Sequence, residues 1–359
     1  MRSRVGSRGS WVGWIGADPE PAAGSDRYGA AMVDPMSPEP APISTSLLGE
    51  PVGWWRHRLA VARDFDARHG AGLHTGLSLG GGGVFFVAWQ VSYLHELTVR
   101  GVDLGGARKV VGTSAGSLVA AVLEAGNLGR AHKEVTLLAK LPRLLGALAP
   151  ASRLHPSQEY ARDLFGVADD DDPETIRAIG HAALAAQAPS PSVMPRNVGL
   201  ILASRRWPSP SLHVTAVDAH TAERCVITAA SGVRITRAVA ASSAVPGLFT
   251  PQPILDRRCM DGGVSGTGLH LDLLAGCDRV VVLGLTDGVG HDQGMMTIAL
   301  GSITEEVEAL RASGSAVFFR TPEAMDPLAL MDPQAVPDAV EMGRRQALAD
   351  ADELRAFVA

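Results

Sequence analysis

The sequence is short of cysteine, of long apolar runs and of clustered positive charge. Its 359 residues include three cysteines, whose spacing matches neither a disulfide framework nor a metal site, so we expect small buried side chains at Cys225, Cys259 and Cys277. No apolar run reaches the ~18 residues that suggest a membrane span. The formal net charge is -6, which argues against nucleic-acid binding. These absences are typical of a cytoplasmic enzyme with one large core.

The first 50 residues are rich in Pro, Gly, Ser and Ala, have no hydrophobic period and show no signal peptide. We expect a disordered arm over 1–50 and a connecting segment over 51–73. Tryptophan favours the interface between water and lipid, and several tryptophans fall in this stretch. Peripheral contact of the arm with a membrane is therefore the alternative to a loose tail, and it would involve Trp11, Trp14, Trp54 and Trp55.

A serine lies in a pentapeptide of small residues, Gly112 to Gly116, between an apolar run and a second, longer apolar stretch over 118–123. The pattern predicts a strand, a sharp turn that holds the Ser114 hydroxyl at the sheet edge, and a buried helix. The N-terminus of that helix would stabilise negative charge developing beside the serine. Ser114 is therefore the candidate nucleophile for cleavage of an ester, and a structural serine in a tight turn is the alternative.

A second match to the same pattern occurs at Gly76 to Gly80. Its serine, Ser78, is flanked by leucines and followed by further glycines before any helical period begins. We interpret Ser78 as a packed strand residue.

A run of four glycines, Gly80 to Gly83, separates a predicted strand at 77–80 from a predicted helix at 84–99. Such a run can present several backbone N–H groups to an anion. The Rossmann spacing and the Walker lysine are absent, so no nucleotide cofactor is indicated. With the strand at 109–112 the segment forms a β-α-β unit, whose parallel strands place the loop and Ser114 at one crevice. The amides of Gly81, Gly82 and Gly83 are the candidate oxyanion donors.

A serine nucleophile needs a base, and Asp261 is the candidate. It follows a predicted hairpin over 253–260 and precedes Gly262 and Gly263, which allow a sharp turn. A simple Asp-Gly turn is the alternative. An α/β-hydrolase with a Ser-Asp-His triad is a further alternative, because His270 and His291 follow the serine and the aspartate in the chain order of that class. We expect His270, however, to be a capping or surface residue near a helix at 271–274.

These motifs resemble the patatin-like phospholipases, which are serine lipid acyl hydrolases. The order of a glycine-rich loop, G-x-S-x-G and D-G-G is the same, and the segments 237–249 and 330–333 are similar as well. The resemblance covers residues 74–350. It implies a three-layer α/β/α fold with a mainly parallel central sheet, a lipid or ester substrate, and a Ser114-Asp261 dyad that works through an acyl-enzyme without metal or cofactor.

One departure from the family pattern follows the glycine run. Where relatives continue with a small residue, a basic residue and glycine, this chain has Val84, Phe85 and Phe86. The loop backbone would shift and a charge near the site would be lost. A catalytically weak or silent lipid-binding protein with the same fold is therefore the alternative function.

We interpret residues 126–211 as a helical insertion that could cover the site. Helices are predicted near 130–148, 156–165 and 173–187, followed by an irregular stretch over 189–195. The acidic run that ends at Asp172 lacks the spacing of a calcium loop, and we interpret it as a helix start. Strands are predicted at 212–217, 279–285 and 316–319, with helices near 296–313 and from about 337, and this alternation predicts a layered α/β/α domain.

Overall fold

The computed structural model describes residues 64–141, 154–168, 170–285, 301–323 and 327–359. The predicted N-terminal arm, residues 51–63 of the connecting segment and His291 lie outside the described residues. Within them, no helix is long and apolar enough to cross a membrane.

Eight strands in the described part of the chain form one sheet with the order β5-β6-β3-β2-β1-β7-β8, and β4 also pairs with β3. β1, β2, β3, β7 and β8 pair in parallel, whereas β4, β5 and β6 pair antiparallel. The expected mainly parallel sheet is thus confirmed. The strands are Thr75–Leu79 (β1), Lys109–Thr113 (β2), Leu212–Asp218 (β3), Arg224–Thr228 (β4), Gln252–Ile254 (β5), Arg257–Asp261 (β6), Arg279–Leu283 (β7) and Ala316–Arg320 (β8).

Helices flank this sheet, as predicted for an α/β fold. Short 3-10 helices occur as well, among them Gly262–Val264 and Leu271–Leu274, where the sequence predicted a helix. The α-helices of the described residues are Gly83–Val99 (α1), Ala115–Glu124 (α2), Leu128–Ala139 (α3), Pro156–Val167 (α4), Pro173–Ala185 (α5), Val193–Leu202 (α6), Ile235–Ser242 (α7), Ser302–Ala312 (α8) and Val336–Val358 (α9).

Helix α1 is the central helix of the fold. It buries 11 of its 17 residues, more than one apolar stripe requires, so it is covered on several sides. The C-terminal helix α9 packs along it and adds polar links: Trp89 Nε1 donates to Gln346 Oε1 at 2.7 Å, and Tyr93 Oη donates to Asp350 Oδ2 at 2.7 Å. These buried hydrogen bonds join α9 to α1.

The helices predicted between residues 126 and 211 are present. α3, α4 and α5 occupy the three predicted stretches, and the first is described only as far as residue 141. α5 begins after Asp172 with Pro173 at its first position and Glu174 in its first turn. The interpretation of the acidic run as a helix start is therefore confirmed.

Two elements of the described chain were not predicted. The stretch 189–195 was expected to be irregular, but α6 begins at Val193, since Pro195 lies in the first turn, where a backbone N–H has no partner inside the helix. The short strand β4 is held by its antiparallel pairing with β3.

Strand β3 pairs with two strands in turn along one edge. Thr215 pairs with Thr113 of β2, and the next residue, Ala216, pairs with Asp261 of β6. β4 pairs with β3 at both Thr215 and Ala216, so it occupies one edge of β3. β2 and β6 therefore lie along the other edge of β3, one following the other. Ser114 follows Thr113 directly, so this arrangement brings it beside Asp261.

Candidate active site

Ser114 forms the sharp turn between β2 and α2. Its φ of 52° and ψ of -122° are strained for a residue with a side chain. The turn closes only because a glycine lies two residues on: a Cβ on Gly116 would lie 1.9 Å from the Leu79 carbonyl oxygen. The Ser114 amide donates to Ser242 Oγ at 2.8 Å, and Ser117 Oγ donates to the Ser114 carbonyl at 2.7 Å. Both sides of the strained residue are thus held by hydrogen bonds.

The Asp261 carboxylate meets this hydroxyl directly. Ser114 Oγ donates to Asp261 Oδ2 at 2.7 Å, and Gly263 N donates to Asp261 Oδ1 at 2.8 Å. Gly262 must be glycine here, because a Cβ would lie 2.7 Å from the Thr215 carbonyl oxygen. The arrangement can transfer the serine proton to the carboxylate without an intervening group.

Asp261 is only 3 % exposed, and this burial favours the protonated form of its carboxyl group. Removal from water raises the pKa of Asp261 from its ordinary 3.8 to about 7, although the hydrogen bonds from Gly263 and Ser114 act in the opposite direction. A carboxylate of this pKa can accept and return a proton near neutral pH.

The glycine run lies against the serine. A Cβ on Gly81 would lie 3.1 Å from Ser114 Cβ, and Gly82 and Gly83 adopt positive φ values of 149° and 64°. No hydrogen bond joins the amides of Gly81, Gly82 and Gly83 to an acceptor in the described part of the chain. Gln90 Nε2 donates to the Gly80 carbonyl at 3.0 Å and fixes the start of the run.

Phe85 and Phe86 belong to the hydrophobic core and not to the site. Their exposures are 2 % and 0 %, and a Cβ on Gly82 would lie 2.2 Å from the Phe86 ring. The Phe86 ring therefore packs against the backbone of the glycine run at Gly82.

The sequence model of the patatin-like phospholipases matches residues 77–271, which is more than half of the chain. The chain belongs to the patatin-like phospholipase family. The match runs from β1 to the residue after His270 and so contains the glycine run, Ser114 and Asp261. Membership of this family indicates lipid acyl hydrolase activity.

Two solved structures are similar to this patatin-like chain. The crystal structure of VipD from Legionella pneumophila is 14 % identical, with 82 % of this chain and 70 % of that chain covered and a TM-score of 0.37. The type III effector protein ExoU is 16 % identical, with 79 % of this chain and 54 % of that chain covered and a TM-score of 0.31. No curated protein matches the sequence significantly.

The remaining serine and histidine interpretations have different outcomes in this patatin-like structure. Ser78 is buried in β1 and donates to the Leu269 carbonyl at 3.1 Å, so its assignment as a packed strand residue is confirmed. His270 lies at the N-cap position of the 3-10 helix Leu271–Leu274, although its side chain makes no capping hydrogen bond. The expectation of a surface residue is wrong: His270 is fully buried, and its ring nitrogens lie beside the Gly262 carbonyl and Arg224. The three cysteines are free and buried, as predicted.

Several residues around the patatin-like site were not singled out from the sequence. Ser242 lies within the segment that resembles the family, but nothing local shows that its hydroxyl accepts from the Ser114 amide. Gln90 is the one amide side chain on the buried face of α1, a signal that could have marked it. Thr113 Oγ1 and Thr215 Oγ1 share a hydrogen bond of 2.6 Å beneath the site. Throughout the described ranges, no three His, Cys, Asp or Glu side chains group as a metal site would require.

Proposed function

We propose that the chain is a serine lipid acyl hydrolase in which Ser114 is the nucleophile and Asp261 the general base. The observation that carries this proposal is the 2.7 Å hydrogen bond from Ser114 Oγ to Asp261 Oδ2. A hydroxyl already bonded to a carboxylate of raised pKa is prepared to lose its proton as it attacks.

In the first half of the reaction, Ser114 Oγ attacks the ester carbonyl carbon and its proton passes to Asp261. Negative charge then develops on the carbonyl oxygen, where the amides of Gly81, Gly82 and Gly83 would donate hydrogen bonds. The alcohol leaves with the proton from Asp261, and the acyl group stays on Ser114.

In the second half, a water molecule attacks the acyl carbon. Asp261 takes the proton of the water and returns it to Ser114 Oγ as the acid leaves. The same carboxylate thus acts as base and acid in both halves, which a pKa of about 7 suits.

Hydrolysis of 4-nitrophenyl butyrate by purified variants tests this mechanism. Ser114→Ala should remove hydrolysis, and Asp261→Asn should lower kcat by about 100-fold or more, the scale of a lost general base. Ser78→Ala removes a serine hydroxyl from the other G-x-S-x-G match and should keep activity within about threefold. Full activity in folded Ser114→Ala would refute the proposal, and an absence of hydrolysis by the wild type would favour the lipid-binding alternative.

A further inference from the structure

His270 is buried directly behind the turn that carries Asp261. Its side chain is fully shielded from solvent and its φ is 53°, an uncommon backbone conformation for a residue other than glycine. Nε2 lies 3.1 Å from the carbonyl oxygen of Gly262, the residue that follows Asp261. His270 thus contacts the backbone of the Asp-Gly-Gly turn.

The neighbouring arginine determines which ring nitrogen carries the proton. Arg224 Nη1 lies 3.3 Å from His270 Nδ1, and a guanidinium can only donate, so Nδ1 accepts and Nε2 bears the hydrogen. Arg224 is held in turn by two hydrogen bonds of 2.6 Å to Asp272. The Gly262 carbonyl can only accept, so Nε2 donates to it.

A single peptide group connects this hydrogen bond to Asp261. The carbonyl of Gly262 and the amide of Gly263 belong to the same planar unit, in which C=O and N–H point in opposite directions. His270 holds the carbonyl end, and the amide end donates to Asp261 Oδ1 at 2.8 Å. A rotation of this peptide would break both hydrogen bonds together.

We propose that His270 is a positioning residue that holds the Gly262–Gly263 peptide, and through it the Asp261 carboxylate, in the orientation that Ser114 requires. This inference rests on the proposed function. It differs from a catalytic triad, because the Ser114 hydroxyl donates to Asp261 itself and both ring nitrogens of His270 are engaged elsewhere.

A second anchor makes the role of His270 separable from the folding of its loop. Glu306 on α8 accepts hydrogen bonds from the Thr267 hydroxyl and, at 2.7 Å, from the Leu271 amide. The loop on both sides of His270 is thus fastened by a different side chain. Replacement of the His270 side chain should then leave the loop in place, and only the Gly262–Gly263 peptide group should become free to rotate.

Two variants of similar size separate hydrogen bonding from packing. His270→Gln keeps an N–H donor at the same number of bonds from Cβ, whereas His270→Met fills the space without a donor. His270→Met should lower kcat for 4-nitrophenyl butyrate by about 10- to 100-fold, the range expected when a reacting group is displaced by about 1 Å. KM should stay within about threefold, and His270→Gln should recover most of kcat.

The pH profile supplies a readout that a packing role would not change. Loss of the Gly263 hydrogen bond removes an interaction with the charged form of Asp261, so the acid limb of kcat against pH should move to higher pH in His270→Met. The charged groups around the ring are Arg224 from β4 and Asp272 after His270, with Glu306 facing the next residue. All three are unchanged in both variants.

Tyr93→Phe is the matched control, because it also removes a buried hydrogen bond, the one to Asp350. It should lower Tm without changing kcat.

Equal activity of wild type and both His270 variants would overturn the inference, and so would equal impairment of both variants with an unmoved pH profile. If Ser114→Ala, assayed beside them, remained active, the proposed function would fail; if it were inactive while His270→Met matched wild type, only the positioning role would fail.

A measurement on the unaltered protein covers the case in which His270→Met does not fold. Nitrogen-15 NMR of labelled histidine reports the tautomer of each ring. The His270 resonances should show a hydrogen on Nε2. A neutral ring with its hydrogen on Nδ1 alone would contradict the inference.

Discussion

Replacement of Asp261 by asparagine should stabilise the protein at neutral and alkaline pH while it lowers kcat by about 100-fold or more. Burial raises the pKa of Asp261 from 3.8 to about 7, so between these values the folded chain holds a proton that the unfolded chain has released. The folded state therefore loses stability as the pH rises through this window. An asparagine side chain does not ionise in this range, so the stability of the Asp261→Asn protein should not fall as the pH rises through the window.

The size of the effect follows from the shift. A rise of about three pKa units corresponds to roughly 4 kcal/mol of destabilisation once the carboxylate is ionised. Asparagine can still accept from the Gly263 amide through Oδ1, but the hydrogen bond from Ser114 Oγ is altered, at a cost of about 1 kcal/mol. We expect Asp261→Asn to be roughly 3 kcal/mol more stable than wild type at pH 8 and about 1 kcal/mol less stable below about pH 4.

Thermal and denaturant unfolding of both proteins between pH 4 and 9 measures this difference. Asp272→Asn is the matched control, since it too removes a buried carboxylate. Burial would raise the pKa of Asp272, but hydrogen bonds and the charge of Arg224 outweigh burial and hold that pKa below its ordinary value. This control should therefore be less stable than wild type at neutral pH. Asp261→Asn with the same stability deficit at pH 8 as at pH 4 would refute the reasoning.

Three further predictions concern the same site. Wild-type kcat/KM should rise with pH around a midpoint near 7, since Asp261 acts as a base only when ionised. A flat profile from pH 5 to 9 would exclude Asp261 as the general base. Gly116→Ala should abolish activity in an ester assay, because its Cβ would lie 1.9 Å from a backbone oxygen, whereas Gly129→Ala meets nothing within 4 Å and should keep full activity. Phe86→Ala should cost about 3–5 kcal/mol of stability and also lower kcat/KM, because the ring supports Gly82; unchanged activity after Tm has fallen would show that the support is dispensable.

The local part of the site could be predicted from the sequence. The turn at Ser114 is recognisable because small residues and two apolar runs leave few other conformations. The β1-α1-β2 unit follows from periodicity and from the handedness of crossovers. These inferences need only neighbouring residues, and the strands and helices involved are confirmed.

The long-range part depended on resemblance or was not predicted. Asp261 meets Ser114 because β2 and β6 share one edge of β3, a pairing across 147 residues that no local pattern encodes. His270 was misjudged for the same reason. Its ring contacts Arg224, which is 46 residues away in the sequence. A polar residue beside a turn is expected to be exposed when such a distant partner is unknown.

Covalent labelling with a fluorophosphonate, followed by peptide mass spectrometry, tests the central claim most directly. The account predicts one adduct, on Ser114, at a labelling rate that rises with pH around a midpoint near 7 and falls sharply in Asp261→Asn. An unlabelled folded protein, or an adduct on another serine such as Ser78, would contradict it.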